Sequence, residues 1–295
     1  MPHSLLARFL LAKKSIGCTT NTLDWYQGRI KDYLDWCHRV GLEYKKPNTV
    51  EEYIVSLRTR KLASSTVFGS FTALSAWFKW ALRRGLLDEN PFDHLERPKQ
   101  IRKIKNRVSK AEFVTLYRSI VVNKWSDQRD KCMLLVMFYS GLRLTETVSL
   151  LPTDVNLDQR LITVQSGKGE KARAVPCHPA LVDELPLYYE MRPPFGSDYL
   201  FVANDGHDRV RGALSIDGLR MMLIRRWRSA GLPYRSPHAF RHAFAVEFLN
   251  NGMEMSAVAA ALGHASVKTT EKEYAFWLTA GIQREYDEAL SRMKS

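Results

Sequence analysis

The chain of 295 residues reads as a mainly α-helical protein with one small β-hairpin, divided into two domains. Three observations predict this. Apolar residues recur at helical spacing through most of the first hundred positions. Two short β-prone runs, Leu161-Ile162-Thr163-Val164 and Ala172-Arg173-Ala174-Val175, flank a Gly-Lys-Gly turn. Between the halves, Arg97 to Arg107 holds six cations and no acid, which is the composition of a linker. The expected layout is a helical domain over 1–96, a basic linker over 97–107 and an α+β domain over 108–295. A hydrophobic content of 45% lets such a chain bury a sizeable core.

The helices of the first domain follow in order. Leu5 to Ala12 is apolar but carries Arg8, lacks a cleavage pattern and is too short to span a bilayer, so it reads as an amphipathic first helix. Leu23, Tyr26, Ile30, Tyr33, Leu34 and Cys37 predict a helix over 20–39 that Gly41 ends. A third helix is expected over Thr49–Lys61. The fourth, Ser65–Arg84, stops at Gly85 and buries Val67, Phe71, Leu74, Phe78 and Leu82. Its opposite side carries Ser65, Thr72, Ser75, Lys79 and Arg83. Small polar residues with cations let a helix lie against a phosphate backbone, although a solvated face has the same composition. In the linker, Arg102, Lys103 and Lys105 extend the basic strip and are expected to track DNA.

The second domain opens with a capping box, Ser109-Lys110-Ala111-Glu112. A helix over about Asp127–Ser140 ends at Gly141, and Arg143 then lies in a turn before a further helix, with Glu146 three residues on. An exposed pair of these two is the plain alternative to a cleft arginine held by Leu142 and Leu144. Lys168 projects from the hairpin tip; no Lys-Ser/Thr opening a helix follows, so this is not a P-loop. Further elements are a helix over Ala180–Glu190, a strand over Tyr199–Ala203 and a helix over Ile216–Ala230. That last helix offers Arg220, Arg225, Arg226 and Arg228 as a basic surface. Residues 279–295 form an amphipathic helix with Ile282, Tyr286, Ala289, Leu290 and Met293 on one side, so Tyr286 is expected to be packed.

A net charge of +13 suits a polyanionic partner. Twenty Lys/Arg against ten Asp/Glu in residues 1–107 concentrate most of it in the first third. Cys18, Cys37, Cys132 and Cys177 lie too far apart for a CxxC pair and are expected to be reduced, structural thiols in a cytoplasmic protein.

Chemistry-bearing residues concentrate between Ser236 and Tyr274. Ser236 suits a helix cap and Pro237 the first helical position, giving a helix through Phe248 to a Gly252 stop. Phe240, Phe244 and Phe248 line one face, leaving His238, Arg241 and His242 for a cleft. A short helix over Met255–Leu262 ends at Gly263, placing His264 at a turn, and Tyr274 follows ten residues later. Each motif alone has a structural explanation. Together they fit phosphodiester chemistry: a tyrosine with a pKa near ~10 needs a base and nearby cations to attack, and guanidinium and imidazolium donors hold the charge that develops on phosphate. His238 and His242 stand four apart like metal ligands, but Ala239 replaces a zincin glutamate and the sequence offers no third ligand. No metal or cofactor is expected.

In this order the motifs resemble the tyrosine recombinase family, the phage integrase and Xer group, over essentially the whole chain. Ser140-Gly141-Leu142-Arg143-Leu144-Thr145-Glu146 resembles the family's first arginine motif, which implies Arg143 as a phosphate ligand and Glu146 as its organising acid. Lys168 matches the hairpin lysine, His238 and Arg241 the His-x-x-Arg pair, His264 the Leu-Gly-His histidine and Tyr274 the nucleophile. The family usually places its tyrosine nine residues after that histidine, against ten here, and Thr145 stands where serine is common. The resemblance implies a C-shaped clamp on double-stranded DNA, made of a helical core-binding domain and a catalytic domain, without a preceding arm-binding domain. It implies a 3′-phosphotyrosyl intermediate formed without metal or ATP, with Lys168 protonating the leaving oxygen and His238 assisting proton removal. A dimer on each recombination site and a tetramer in the synapse are further expectations. Two rivals stand beside this reading: a type IB topoisomerase-like enzyme, which reseals the same strand, and a non-catalytic architectural DNA-binding protein.

Overall fold

A computed structural model describes residues 2–93, 95–99, 106–165, 172–194, 198–206, 209–264, 266–274, 286 and 290–293. The chain is mainly helical and divides into two compact units, Met1–Ile104 and Lys105–Ser295. Arg102, Lys103 and Lys105 of the basic linker, and Lys168 at the hairpin tip, lie outside the described residues. Among the described residues, no helix is long and apolar enough to cross a membrane.

The first unit contains α1 (Pro2–Ser15), α2 (Thr20–Val40), α3 (Pro47–Thr59) and α4 (Ser64–Arg83). Thr19 caps α2 by accepting the Thr22 N–H, and Gly41 closes it at φ 71°. The third helix starts two residues earlier than expected because Pro47 supplies its first helical φ. Ile30, Tyr33 and Leu34 of α2 meet Leu74, Trp77 and Phe78 of α4 in one core. Arg29 ties the two helices by donating from Nη1 to Thr66 O and Ser70 Oγ, both at 3.0 Å. This packing leaves Lys79 and Arg83 exposed.

The second unit begins with α5 (Lys110–Arg118), whose Ser109–Glu112 capping box forms as expected. Then come α6 (Trp125–Tyr139), α7 (Leu144–Ser149), β1 (Val155–Asn156), β2 (Leu161–Val164), β3 (Arg173–Pro176), α8 (Pro179–Met191), β4 (Val202–Asn204), β5 (Val210–Ala213), α9 (Ile216–Ser229), α10 (Pro237–Asn250) and α11 (Met255–Leu262). Helix α6 is buried on every side, polar first turn included. Buried charges need partners, and Arg226 of α9 provides them by donating to Asp127 Oδ1 at 2.5 Å and Asp130 Oδ2 at 2.9 Å.

Antiparallel β1, β2 and β3 lie in that order, with Ile162 opposite Val175 and Val164 opposite Arg173. A second antiparallel pair joins β4 to β5. The strand expected over Tyr199–Ala203 is displaced to Val202–Asn204, because Leu200 N–H turns instead to Leu150 O at 2.7 Å. At the C-terminus, Tyr286 is 58% exposed and Met293 is 82% exposed. This corrects the expectation that Tyr286 is packed; Ile282 and Ala289 of the stripe expected there lie outside the described residues.

Candidate active site

The site is built on the first turns of α10. Phe240 and Phe244 enter the core, which turns Arg241 and His242 toward the elements around them. Ser236 occupies the cap position, but its hydroxyl makes no capping hydrogen bond, so Pro237 carries the start of the helix. The turn after α6 approaches α10 closely enough that a Cβ on Gly141 would stand 2.6 Å from Phe244 Cδ1, and its φ of +62° also selects glycine. Its carbonyl accepts Arg241 Nη1 at 2.9 Å, while Arg241 Nη2 donates to Leu262 O at the end of α11. One guanidinium thus pins three segments. Arg241 is only 3% exposed. Burial first, and then the neighbouring Arg143 charge, lowers its pKa to about 10.

Around it lies a second layer of charge. Glu146 accepts the Arg143 backbone N–H at 2.7 Å and Arg143 Nη1 at 2.8 Å. Arg173 of β3 approaches the same carboxylate and also donates Nε to Ala261 O at 2.8 Å. Burial opposes ionisation of Glu146, but the hydrogen bonds from Arg173 and Arg143 outweigh it and hold the carboxyl below its usual range. Gly263 ends α11 at φ +62°, where a Cβ would sit 3.0 Å from Arg173 Nη1, and its carbonyl accepts Arg143 Nη2 at 3.3 Å. That turn delivers His264, whose Nδ1 pairs with the buried Thr270 hydroxyl at 2.7 Å. Burial, and then Arg241, keeps the imidazole below its ordinary pKa.

Residues 267–274 are helical and carry Tyr274 into the core of the unit, where it is 1% exposed. Its hydroxyl meets His242 Nδ1 at 3.0 Å. Burial chiefly, with the Glu273 charge, raises the phenol well above its usual pKa, against the opposing charge of Arg241. On the other edge of the His242 ring, Nε2 lies 3.7 Å from Glu273 Oε1. His238 is more exposed, with its ring edge-on to His242 at 4.3 Å and Nε2 4.0 Å from the same carboxylate oxygen. A cavity of about 400 Å³ is lined by His238, His242, Ser236 and Tyr234 among others.

Arg143, Glu146, His238, Arg241, His264 and Tyr274 therefore fall within one connected set of contacts. Sequence reasoning left four contributors without a role. Arg173 was visible only as the end of the Gly-Lys-Gly-Glu-Lys-Ala-Arg run, and Thr270 carried no signal of its own. His242 was noted as a cleft residue without a partner. Glu273 supplies the acidic third member that His238 and His242 lacked in the sequence: ligand atoms of the three lie within 4.8 Å of one another, close enough to hold a metal ion. Three guanidiniums around one carboxylate, Glu146, form a field suited to an anion such as phosphate. Of the basic residues expected on α9, Arg225 and Arg228 are exposed. Arg226 is not a surface cation; it turns inward because Asp127 and Asp130 of the buried α6 require it.

Comparisons with known proteins identify the family and the fold. Residues 106–277 match the phage integrase family, and residues 5–88 match the phage integrase N-terminal SAM-like domain. Tyrosine recombinase XerD of Ralstonia nicotianae is 31% identical over 264 residues, covering 86% of this chain and 83% of that protein. Tyrosine recombinase XerA of Thermococcus kodakarensis is 29% identical, covering 92% and 90% respectively. Among solved structures, a Tn1549 transposon integrase in complex with transposon right end DNA superposes with a TM-score of 0.74 at 18% identity, over 95% of this chain and 98% of that one, a likeness of fold.

Proposed function

The chain belongs to the phage integrase family and is a tyrosine-type site-specific DNA recombinase, and on that premise we propose how its own residues cut and rejoin DNA. Tyr274 attacks the scissile phosphate, leaving a 3′-phosphotyrosyl link and a free 5′-hydroxyl. Arg143, Arg241 and His264 hold the oxygens of the five-coordinate phosphate. Lys168 protonates the departing 5′-oxygen, and the α10 histidines, of which the family resemblance names His238, assist proton removal from Tyr274. The link conserves the bond energy, so the 5′-hydroxyl of a second strand can displace the tyrosine without ATP.

The observation that carries this reading is Arg241. Arg241 is buried beside Arg143 and the Tyr274 ring. The three guanidiniums of Arg143, Arg173 and Arg241 face the single carboxylate of Glu146, an excess of positive charge that a phosphate would balance. Because Tyr274 is itself buried, a phosphate reaches its oxygen only when the groups covering it open while residues 267–274 stay seated against α10. Lys79 and Arg83 on α4, Arg225 and Arg228 on α9, and Arg102, Lys103 and Lys105 in the linker contact the DNA backbone. One dimer occupies each site, and two dimers form the synapse.

Supercoiled plasmids with two, one or no recombination sites test this reading. The recombinase produces rearranged circles only from the two-site plasmid. Relaxation of all three plasmids without rearrangement would instead indicate a topoisomerase, and an absence of strand breakage an architectural protein.

A further inference from the structure

We infer that His242 is a catalytic residue of the strand-cleavage step: its Nδ1 takes the proton of Tyr274, and Glu273 holds the resulting imidazolium. This rests on Tyr274 being the nucleophile.

The geometry supplies each part. Tyr274 Oη lies 3.0 Å from His242 Nδ1, and this is its hydrogen bond among the described residues. The ring is fixed from both sides, because α10 is anchored in the core by Phe240 and Phe244 while the edge-on His238 ring abuts it. With Nδ1 accepting from the phenol, the proton of neutral His242 sits on Nε2, which faces Glu273 Oε1 at 3.7 Å. Tyrosine, imidazole and carboxylate thus stand in the order nucleophile, base and acid known from triad hydrolases, with the carboxylate at ion-pair rather than hydrogen-bond distance from the imidazole. Burial makes a free tyrosinate costly here, so the proton has to leave as the bond to phosphorus forms.

The step balances. The Tyr274 O–H bond breaks and its proton passes to His242 Nδ1; Oη bonds to phosphorus; the P–O5′ bond breaks, and O5′ takes a proton from a separate donor, the role proposed for Lys168. In rejoining, the imidazolium returns its proton to Oη as the tyrosine leaves. The other groups facing His242 are His238 on its own helix, and Glu273 and Tyr274 on the segment packed against it. His238 can tune the base through the shared Glu273 oxygen.

The sequence also makes Glu273 informative. It stands nine residues after His264, the distance at which the family usually places its tyrosine, and the additional residue puts the tyrosine at 274. On a helix one residue is a turn of about 100°, so Glu273 and Tyr274 project to neighbouring faces, and the two meet opposite nitrogens of the His242 ring.

The test measures covalent adduct on a nicked suicide substrate across pH, with wild type, H242N, E273Q and Y274F in parallel. Asparagine preserves a polar atom near the Nδ1 position but cannot take a proton. H242N should bind DNA like wild type and form adduct about 10²–10³-fold more slowly, and it should lose the pH-dependent limb that an imidazole base gives the wild type. E273Q should retain that limb but move it to lower pH, because removing the carboxylate destabilises the imidazolium. A structural role for His242 would not shift the limb in E273Q. Wild-type rate and pH profile in both variants, with Y274F inactive, would overturn the relay and leave the nucleophile assignment intact. Adduct formed by Y274F would instead overturn the assignment itself. If H242N does not fold, the E273Q profile decides.

Discussion

Arg173 meets Glu146 through two hydrogen bonds, Nη1 to Oε1 at 3.0 Å and Nη2 to Oε2 at 2.8 Å, across 27 residues of sequence. The same carboxylate also accepts Arg143, so β3, the turn before α7 and the end of α11 are held through one acid. Arg173→Ala should destabilise the protein by about 2–3 kcal/mol, the range for hydrogen bonds to a charged group. A pH effect should accompany it. The folded Glu146 carboxyl lies below its usual range, so its contribution to stability is fully present above the unfolded value of ~4.3 and is lost as pH falls through the lowered folded value. Urea unfolding across the acid range checks this. Arg173→Ala should flatten the acid limb, and an unchanged limb would contradict the coupling.

Gly141 offers a test of the close approach that places Arg241. An added Cβ meets the Phe244 ring at 2.6 Å on a backbone already at φ +62°, so Gly141→Ala should cost about 3 kcal/mol from overpacking and left-handed strain together. Gly252 has φ +89° but nothing within 4 Å of the added atom, so Gly252→Ala should cost only about 1 kcal/mol. Equal midpoints in thermal unfolding would show that the turn does not pack as described.

The helix stops were legible because glycines at 41, 141, 252 and 263 need only local chemistry, and all four adopt positive φ. The Ser109–Glu112 cap was legible for the same reason. What could not be read depends on partners distant in sequence. Arg173 acquires its role only when β3 lies beside α11, and Arg226 turns inward only because the polar start of α6 is buried. The β5 strand, Val210-Arg211-Gly212-Ala213, contains a glycine and lacks clean alternation. His242 and Glu273 become partners only once residues 267–274 coil as a helix against α10.

Strand cleavage should persist in excess EDTA, since the charge that develops on phosphate meets fixed guanidiniums at Arg143 and Arg241. His238, His242 and Glu273 make this a demanding test, because they could hold an ion beside the nucleophile. Adduct formation lost on chelation and restored by a divalent ion would assign the charge compensation to metal.

Removing the residues after Thr279 probes the C-terminal segment, in which Tyr286 and Met293 are exposed. In a synapse this segment should dock against a neighbouring protomer. The truncated protein should bind a single site with affinity near that of the full chain and recombine paired sites at least about tenfold less, a loss equivalent to ~1.4 kcal/mol of assembly energy. Undiminished recombination of paired sites would show that the segment does not act between protomers.

The identity of the nucleophile is tested by mapping the nucleotide-bearing peptide after trapping the wild-type adduct on a nicked suicide substrate. Tyr274 is buried against His242 and near Arg241, while Tyr286, the other tyrosine that follows His264, is exposed. An accessibility argument alone would therefore choose Tyr286, whereas the chemistry around the hydroxyl chooses Tyr274. The nucleotide should be found on Tyr274, and Tyr274→Phe should abolish the adduct while DNA binding stays within about twofold of wild type. A nucleotide mapped to Tyr286, or an adduct formed by the phenylalanine variant, would contradict the account.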